Sequence, residues 1–377
     1  MIRLGYCTNV HAGTTLAEAE TQLDHHAVPV RTAMKLDRLP IGLWLPAAAL
    51  RDIDTDALRQ RLDARGLQVY TMNAFPFGDF HDDVVKRRVY EPDWSTVERA
   101  DYTGASAALL AALLDPEDEG GVSTLPLGWA ATMDSNARDA AGHRMLEVAD
   151  TLARLEDRTG RCIHLDIEPE PGCALGTLGE LADFFEQSLL GRGRDALVRR
   201  HLRACVDLCH AAVMFEDLQS VLDRFDELGL GIGKVQVSNA IEVDFDSIDP
   251  ATHEDVHAAL QDFDEPRWMH QTAIRHDGDT ELLDDLGDAL PRPMRGCWRV
   301  HFHVPVHVET LGPLGTTQRR LIHDLQVLAA REDTFDWEVE TYAWDALPLH
   351  RRPERLADSI VDELQWTRHQ ISDGSGA

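Results

Sequence analysis

The chain has 377 residues, 44% of them hydrophobic, and a formal net charge of −30. That is material for one large core, and too much negative charge for a phosphate backbone or an anionic membrane surface, both of which are held by clustered Lys and Arg. No apolar run reaches the roughly 18 residues of a membrane-spanning helix, so no membrane insertion is expected. The first residues lack the charged and apolar regions of a secretory signal.

Six cysteines sit in or beside apolar runs without a Cys-x-x-Cys pair. A structural zinc site is therefore not expected, and a reduced, cytoplasmic protein is. Basic residues are nearly all Arg; Lys occurs only at Lys35, Lys86 and Lys234.

In chain order, short apolar runs alternate with helical patterns. The strand candidates are Ile2–Thr8, Ile41–Leu45, Val69–Asn73, Val122–Leu125, Cys162–Ile167, Ala204–Leu208, Ile232–Val237, Trp298–His303 and Trp337–Tyr342. Many are apolar throughout, as strands of a parallel sheet covered on both faces are. Between them, Phe215–Leu228 carries Leu218, Val221, Leu222, Phe225 and Leu228 at helical spacing. Glu216 and Asp217 stand in its first turn, and Gly229 follows its end. Thr316–Ala330 reads likewise, with Thr316 or Thr317 as the cap.

Repeated strand–helix units give a doubly wound sheet or a barrel. No Gly-x-Gly-x-x-Gly follows the first strand, and polar residues gather just past the strand ends, where barrel sites are built. The pattern therefore predicts an α/β protein, a (β/α)₈ barrel forming a single domain over residues 1–371, with a frayed tail at 372–377. Nine candidates are one too many. The surplus is Trp298–His303, Val122–Leu125 or a pairing inside the irregular stretch Asn239–Arg295, which reads as an elaborated loop able to cover the barrel mouth.

The strand ends carry the chemistry. Cys162–Ile167 is followed by Glu168-Pro169-Glu170. Asp207 is followed three residues on by His210. Gln236 lies on the next run, then His301 and His303, then Glu338 and Glu340. Alternate residues of a strand share a face, so each of the last two pairs shares one. Carboxylates and imidazoles converging on one mouth need a counter-charge, which a divalent cation (Mn²⁺, Mg²⁺, Co²⁺ or Zn²⁺) supplies. The candidate metal ligands are Glu168, Asp207, His210, Gln236, His301, His303 and Glu340, with Glu170 and Glu338 read as rim or salt-bridge groups. Earlier in the chain, Asn9, His11, Asn73, Phe75, His81 and Lys86 put amides, imidazoles, an aromatic ring and one of the few lysines at the ends of the first and third strands. This is a lip suited to binding a small-molecule metabolite.

The series Glu168-Pro169, Asp207-x-x-His210, Gln236, His301-x-His303 and Glu340-Thr341 resembles the xylose-isomerase-like superfamily. By that resemblance Glu168, Asp207, His210 and Glu340 are site residues. The superfamily usually has His where Gln236 stands, leaving His303 or His301 to substitute from a different strand end. Longer blocks resemble the EboE family of metabolite traffic proteins from ebo gene clusters. They are Tyr6-Cys7-Thr8-Asn9-Val10-His11-Ala12-Gly13, the run from Asn73 to His81, Val89-Tyr90-Glu91-Pro92-Asp93-Trp94, Ser123-Thr124-Leu125-Pro126-Leu127-Gly128-Trp129, the run from His164 to Pro171, Val300-His301-Phe302-His303-Val304-Pro305 and the run from Glu338 to Trp344. That resemblance implies a sugar-phosphate-isomerase-like barrel that processes or moves a secondary-metabolite precursor, with other ebo-cluster proteins as partners. It supplies no reaction.

Two functions follow. In the first, a metal-dependent isomerase or epimerase uses Glu168 and Glu340 as catalytic groups, one removing a carbon-bound proton and the other returning it. In the second, the barrel binds and hands over a metabolite without turnover. A nuclease, which the superfamily also contains, is disfavoured by the charge. The one dense basic run, Arg199-Arg200-His201-Leu202-Arg203, precedes a strand and belongs at the opposite end of the barrel.

Overall fold

The computed structural model describes residues 2–116 and 118–374. Seven strands come first: β1 (Leu4–Cys7), β2 (Leu39–Trp44), β3 (Leu67–Asn73), β4 (Gly120–Thr124), β5 (Ile163–Ile167), β6 (Leu202–Asp207) and β7 (Ile232–Val237). Six more follow: β8 (Asn239–Asp244), β9 (Thr272–His276), β10 (Asp279–Leu283), β11 (Cys297–Val304), β12 (Thr310–Leu311) and β13 (Leu314–Thr316). β14 (Asp336–Val339) ends the set. Strands β1 to β7 and β14 close into a parallel barrel in the order β1-β14-β7-β6-β5-β4-β3-β2. Closure is made by β1 lying between β14 and β2, with Tyr6 level with both Val339 and Ile41.

The helices form where the sequence supplies caps. Asp217 caps Leu218–Leu228 by accepting from the Ser220 amide, and Gly229 ends that helix in the left-handed conformation at φ 64°. The helix Gln318–Ala329 starts after Thr317, whose hydroxyl donates to Asn239 Oδ1 at 3.0 Å instead of capping it. The last helix, Leu356–Gly374, takes in residues 372–374 of the expected tail; 375–377 lie outside the described residues. No helix among the described residues is long and apolar enough to cross a membrane.

The surplus strand is Trp298–His303. It lies within β11, outside the barrel, in a second sheet of order β10-β9-β11-β8-β13-β12. All ladders of that sheet are antiparallel. The segment between β7 and β14 is therefore a built layer rather than an irregular loop, and it extends past the expected end at 295. It misled the sequence reading because β11 is buried on both faces over most of its length, which gives the same apolar run as a barrel strand.

The barrel interior is polar below its mouth. Lys234, fully buried, donates to Glu338 Oε2 at 2.7 Å and to Ser123 Oγ at 2.8 Å. A side chain at Gly42 would collide with Glu338, and one at Gly233 with Asp166, so these glycines leave the space that the buried acids fill. Glu338, read as a rim group, is instead a core ion-pair partner one layer beneath Glu340.

Candidate metal centre

Three carboxylates stand at the ends of β5, β6 and β14 on the C-terminal side of the barrel. Glu168 follows β5, and its amide donates to Thr124 O at 3.0 Å. Asp207 ends β6 and caps the short helix Leu208–Val213, its Oδ1 accepting from the His210 amide at 2.9 Å and from Ser238 Oγ at 2.8 Å. This cap explains the Asp-x-x-His spacing: it fixes the first turn and so the place of His210. Glu340 follows β14, and its Oε1 accepts from Asn9 Nδ2 at 2.7 Å and Asn73 Nδ2 at 3.2 Å.

Glu168, Asp207 and Glu340 are all buried, and each offers an oxygen within 4.8 Å of the other two. Burial first, then the neighbouring Glu340 and Asp207, holds the Glu168 carboxyl well above the usual carboxylate range. Burial, then Asp207 and Glu338, does the same to Glu340. Lys234 offsets these effects only in part, being bound to Glu338. The cluster is short of positive charge.

The imidazoles approach from β11 and from the Asp207-capped helix. His210 Nδ1 is 2.8 Å from Pro169 O, and His303 Nδ1 is 2.7 Å from Glu340 O. A carbonyl oxygen only accepts, so both Nδ1 atoms carry hydrogen, and neutral His303 presents a lone pair at Nε2. His301 Nδ1 is 2.7 Å from Gln271 Oε1, an orientation set because Gln271 Nε2 donates to Pro171 O at 2.9 Å. His301 Nε2 is thus also a lone pair, and it lies within hydrogen-bond distance, 3.1 Å, of His210 Nε2. His303 Nε2 and Asp207 Oδ2 are buried without a partner. Cations at the mouth serve both. Burial lowers the imidazole pKa of His301 well below its ordinary range and that of His303 to about 4, which keeps both rings available as ligands. Residues that hold the far ring nitrogen of each His on an oxygen are the usual supports of metal-bound imidazoles, and the donor set fits a divalent ion.

The remaining expected residues divide. Asn9 and Asn73 meet on Glu340, and with Phe75 and Lys86 they line the pocket above the carboxylates. Lys86 Nζ is taken by Asp285 Oδ2 at 2.6 Å and Glu265 O at 3.3 Å, so it is not a free counter-charge for an anion. His81 lies behind the pocket wall, where its Nε2 donates to Asn9 O at 2.7 Å and supports Asn9. His11 does not reach the pocket. Its ring stacks on His26 at 4.5 Å and its Nε2 meets Tyr6 OH at 3.0 Å, because the chain turns through Thr8–Val10 straight after β1. Gln236 lies on β7 beneath the mouth, its Oε1 3.2 Å from Cys205 Sγ and its Nε2 without a partner.

Several lining residues were not singled out as site residues from the sequence. Tyr90, Trp268, Met269 and Tyr342 form an aromatic and apolar wall facing the acids, and Glu170 reaches the pocket rather than the rim. Their signal was present in the blocks around Glu170 and Tyr342 and in Trp268-Met269-His270-Gln271, whose position relative to the mouth only the antiparallel sheet reveals. The wall is closed by backbone bonds: the Val85 and Lys86 amides both donate to Arg267 O at 2.8 Å. The basic run lies at the other end of the barrel, with Arg200 bound to Glu156 and Arg203 to Glu119.

No protein-family model and no curated protein matches the sequence. Solved structures do. An L-ribulose 3-epimerase is 13% identical over 100% of this chain and 95% of its own, with a TM-score of 0.51. An IolI protein with a bound zinc atom is 13% identical over 99% and 98%, with a TM-score of 0.47. A xylose isomerase domain-containing protein from Salmonella typhimurium is 11% identical over 98% and 97%, with a TM-score of 0.48. The likeness is one of fold: a closed parallel eight-stranded barrel with helices.

Proposed function

We propose that this barrel is a metal-dependent isomerase or epimerase of a small hydroxy-carbonyl metabolite. The observation that carries the reading is the trio of buried carboxylates, Glu168, Asp207 and Glu340, of which Glu168 and Glu340 line a pocket whose opposite wall is aromatic. A divalent ion bound there would neutralise the acids and polarise a hydroxyl or carbonyl oxygen of the substrate.

The chain's own groups do the rest. Glu168 and Glu340 are the proton-transfer pair, one taking the proton from carbon and the other returning it. Both line the pocket, where a bound substrate would lie between them. The amides of Asn9 and Asn73 hold one oxygen of Glu340, leaving the other for the substrate or the ion. Phe75, Trp268 and Tyr342 exclude water and pack against the carbon face of the substrate. The ion itself is Mn²⁺, Mg²⁺, Co²⁺ or Zn²⁺. The six free cysteines suit a reducing, cytoplasmic setting.

A second reading, non-catalytic binding and hand-over in an ebo-type pathway with other ebo-cluster proteins, is favoured by one observation: Gln236 stands where the superfamily resemblance expects an imidazole. One experiment separates the two. The metal-loaded protein is incubated with a panel of aldoses and ketoses in D₂O and followed by proton NMR. Deuterium entering the carbon next to the carbonyl, and lost in Glu168→Gln, supports the enzyme. Saturable sugar binding with no exchange at any carbon sinks it and leaves the traffic role.

A further inference from the structure

We propose that the mouth holds a second metal site, formed by Glu170, His210 and His301, separate from the carboxylate trio. This rests on the metal-dependent reading above and extends it to residues with no part in that reading's proton transfer. The three side chains come from three places: Glu170 from the loop after β5, His210 from the helix capped by Asp207, and His301 from β11 of the second sheet. Each offers one ligand atom within 4.8 Å of the others, and all three are buried. The trio Glu168, Asp207 and Glu340 meets the same condition and shares no member with them.

One ion does not serve both sets. Ligand atoms of a single ion bound at about 2.0–2.2 Å lie within about 4.4 Å of one another even when opposite. Among the described residues, no mutually close group joins His301 to Glu168 or to Glu340. His301 is therefore out of reach of an ion held by the carboxylate trio.

The supports of the second set are its own. Glu170 Oε1 accepts from Tyr90 OH at 2.7 Å and from Gln271 Nε2 at 3.3 Å. The same Gln271 turns its carbonyl to His301 Nδ1, and Pro169 O holds His210 Nδ1. One amide thus orients both a carboxylate and an imidazole, and these bonds leave the second oxygen of Glu170 and Nε2 of His301 unclaimed. Two imidazoles and one carboxylate are a donor set suited to Zn²⁺ or Co²⁺, and three protein ligands leave a position open for water or a substrate oxygen. Asp207, of the carboxylate trio, and His303 are each close to His210, so the two sets are neighbours.

The test is stoichiometry. Chelator-stripped full-length protein is reloaded with Zn²⁺, desalted and analysed for metal, beside Glu170→Gln/His301→Gln and Glu168→Gln/Glu340→Gln variants checked for folding by circular dichroism. Two ions in the wild type and one in each variant are expected. One ion in the wild type that survives in Glu170→Gln/His301→Gln and is lost in Glu168→Gln/Glu340→Gln overturns the second site and leaves the proposed function standing. One ion with the reverse pattern supports the imidazole site and removes the carboxylate one. No ion in the wild type overturns both. A titration of Co²⁺ into the stripped proteins, followed by visible absorption, reads the same sites: two saturable phases are expected in the wild type, and a single phase that is unchanged in Glu170→Gln/His301→Gln overturns the proposal.

Discussion

Replacing Glu340 with Gln should move stability in opposite directions with and without metal. The side chain is buried, and its oxygens lie within 4.8 Å of those of Glu168 and Asp207. At an effective dielectric constant near 20, two unit charges at that separation repel by about 3.5 kcal/mol. Part of this is already avoided because the Glu168 and Glu340 carboxyls are held well above their usual range and take up protons. The metal-free protein should therefore gain about 1–3 kcal/mol from the substitution. The new amide keeps its carbonyl on Asn9 and Asn73 and turns its NH₂ toward Glu168 and Asp207, so no hydrogen bond is lost. At about 2 °C or less per kcal/mol in a chain this long, the metal-free melting temperature rises by a few degrees. With metal the sign reverses. A hundredfold loss of affinity removes about 2.7 kcal/mol of ligand-linked stability, so the metal-induced rise in melting temperature shrinks. Differential scanning calorimetry in chelator and in excess Mn²⁺, Co²⁺ or Zn²⁺ reads both quantities. A variant that melts lower than the wild type in chelator, or that keeps the full metal-induced rise, refutes the account of a charge-starved cluster.

Three further outcomes follow from the same contacts. Gln271→Leu removes the acceptor that fixes the His301 tautomer, and metal affinity should fall by about 10–100-fold, read by competition with a chelating dye; unchanged affinity would detach Gln271 from the centre. Glu363, buried on the last helix and accepting from Thr341 Oγ1 and the Val306 amide, has its carboxyl pushed up to about 8 by burial. A carboxyl raised in the folded state contributes stability that is complete below its unfolded pKa, near 4.3, and is lost as pH rises through about 8. Glu363→Gln should thus match the wild type at pH 5 and melt above it at pH 8.5, and parallel melting curves against pH would contradict the assignment. Lys234→Met strands Glu338 in the barrel and should cost about 3–5 kcal/mol in urea denaturation, most of it recovered by adding Glu338→Gln; no recovery would mean that Lys234 acts through packing alone.

The parts of the fold that could be read from the sequence are those with a local cause. Barrel strands β3 to β7 show as apolar runs because both of their faces are covered, and the helix ending at Leu228 shows its apolar spacing and its terminal glycine, although Asp217 stands before it as the cap and not in its first turn. Asp207 and His210 are legible from their place at a strand end, and the structure adds that their spacing is a helix cap. What periodicity cannot carry is the partner of a buried strand. The run Trp298–His303 is apolar whether it pairs in parallel inside a barrel or antiparallel above one, and only the second arrangement brings its two histidines over the carboxylates.

The same limit explains the errors among site residues. Alternation placed Glu338 and Glu340 on one face, and both do point into the barrel, but depth separates them. The space beside Gly42 admits Glu338 below, where Lys234 neutralises it, and Glu340 stands one layer higher with amide donors only. A strand gives the face of a residue and not the layer it occupies. Glu170 shows the converse. Its position two residues past Glu168 reads as rim, yet Tyr90 and Gln271, from a loop and from the second sheet, draw it in over the mouth. Of the two acids set aside as rim groups, Glu338 serves the core and Glu170 faces the pocket. What decides between them is where the counter-charge lies: Lys234 already answers Glu338, while nothing among the described residues answers the acids at the mouth, which is why a cation is the partner the site calls for.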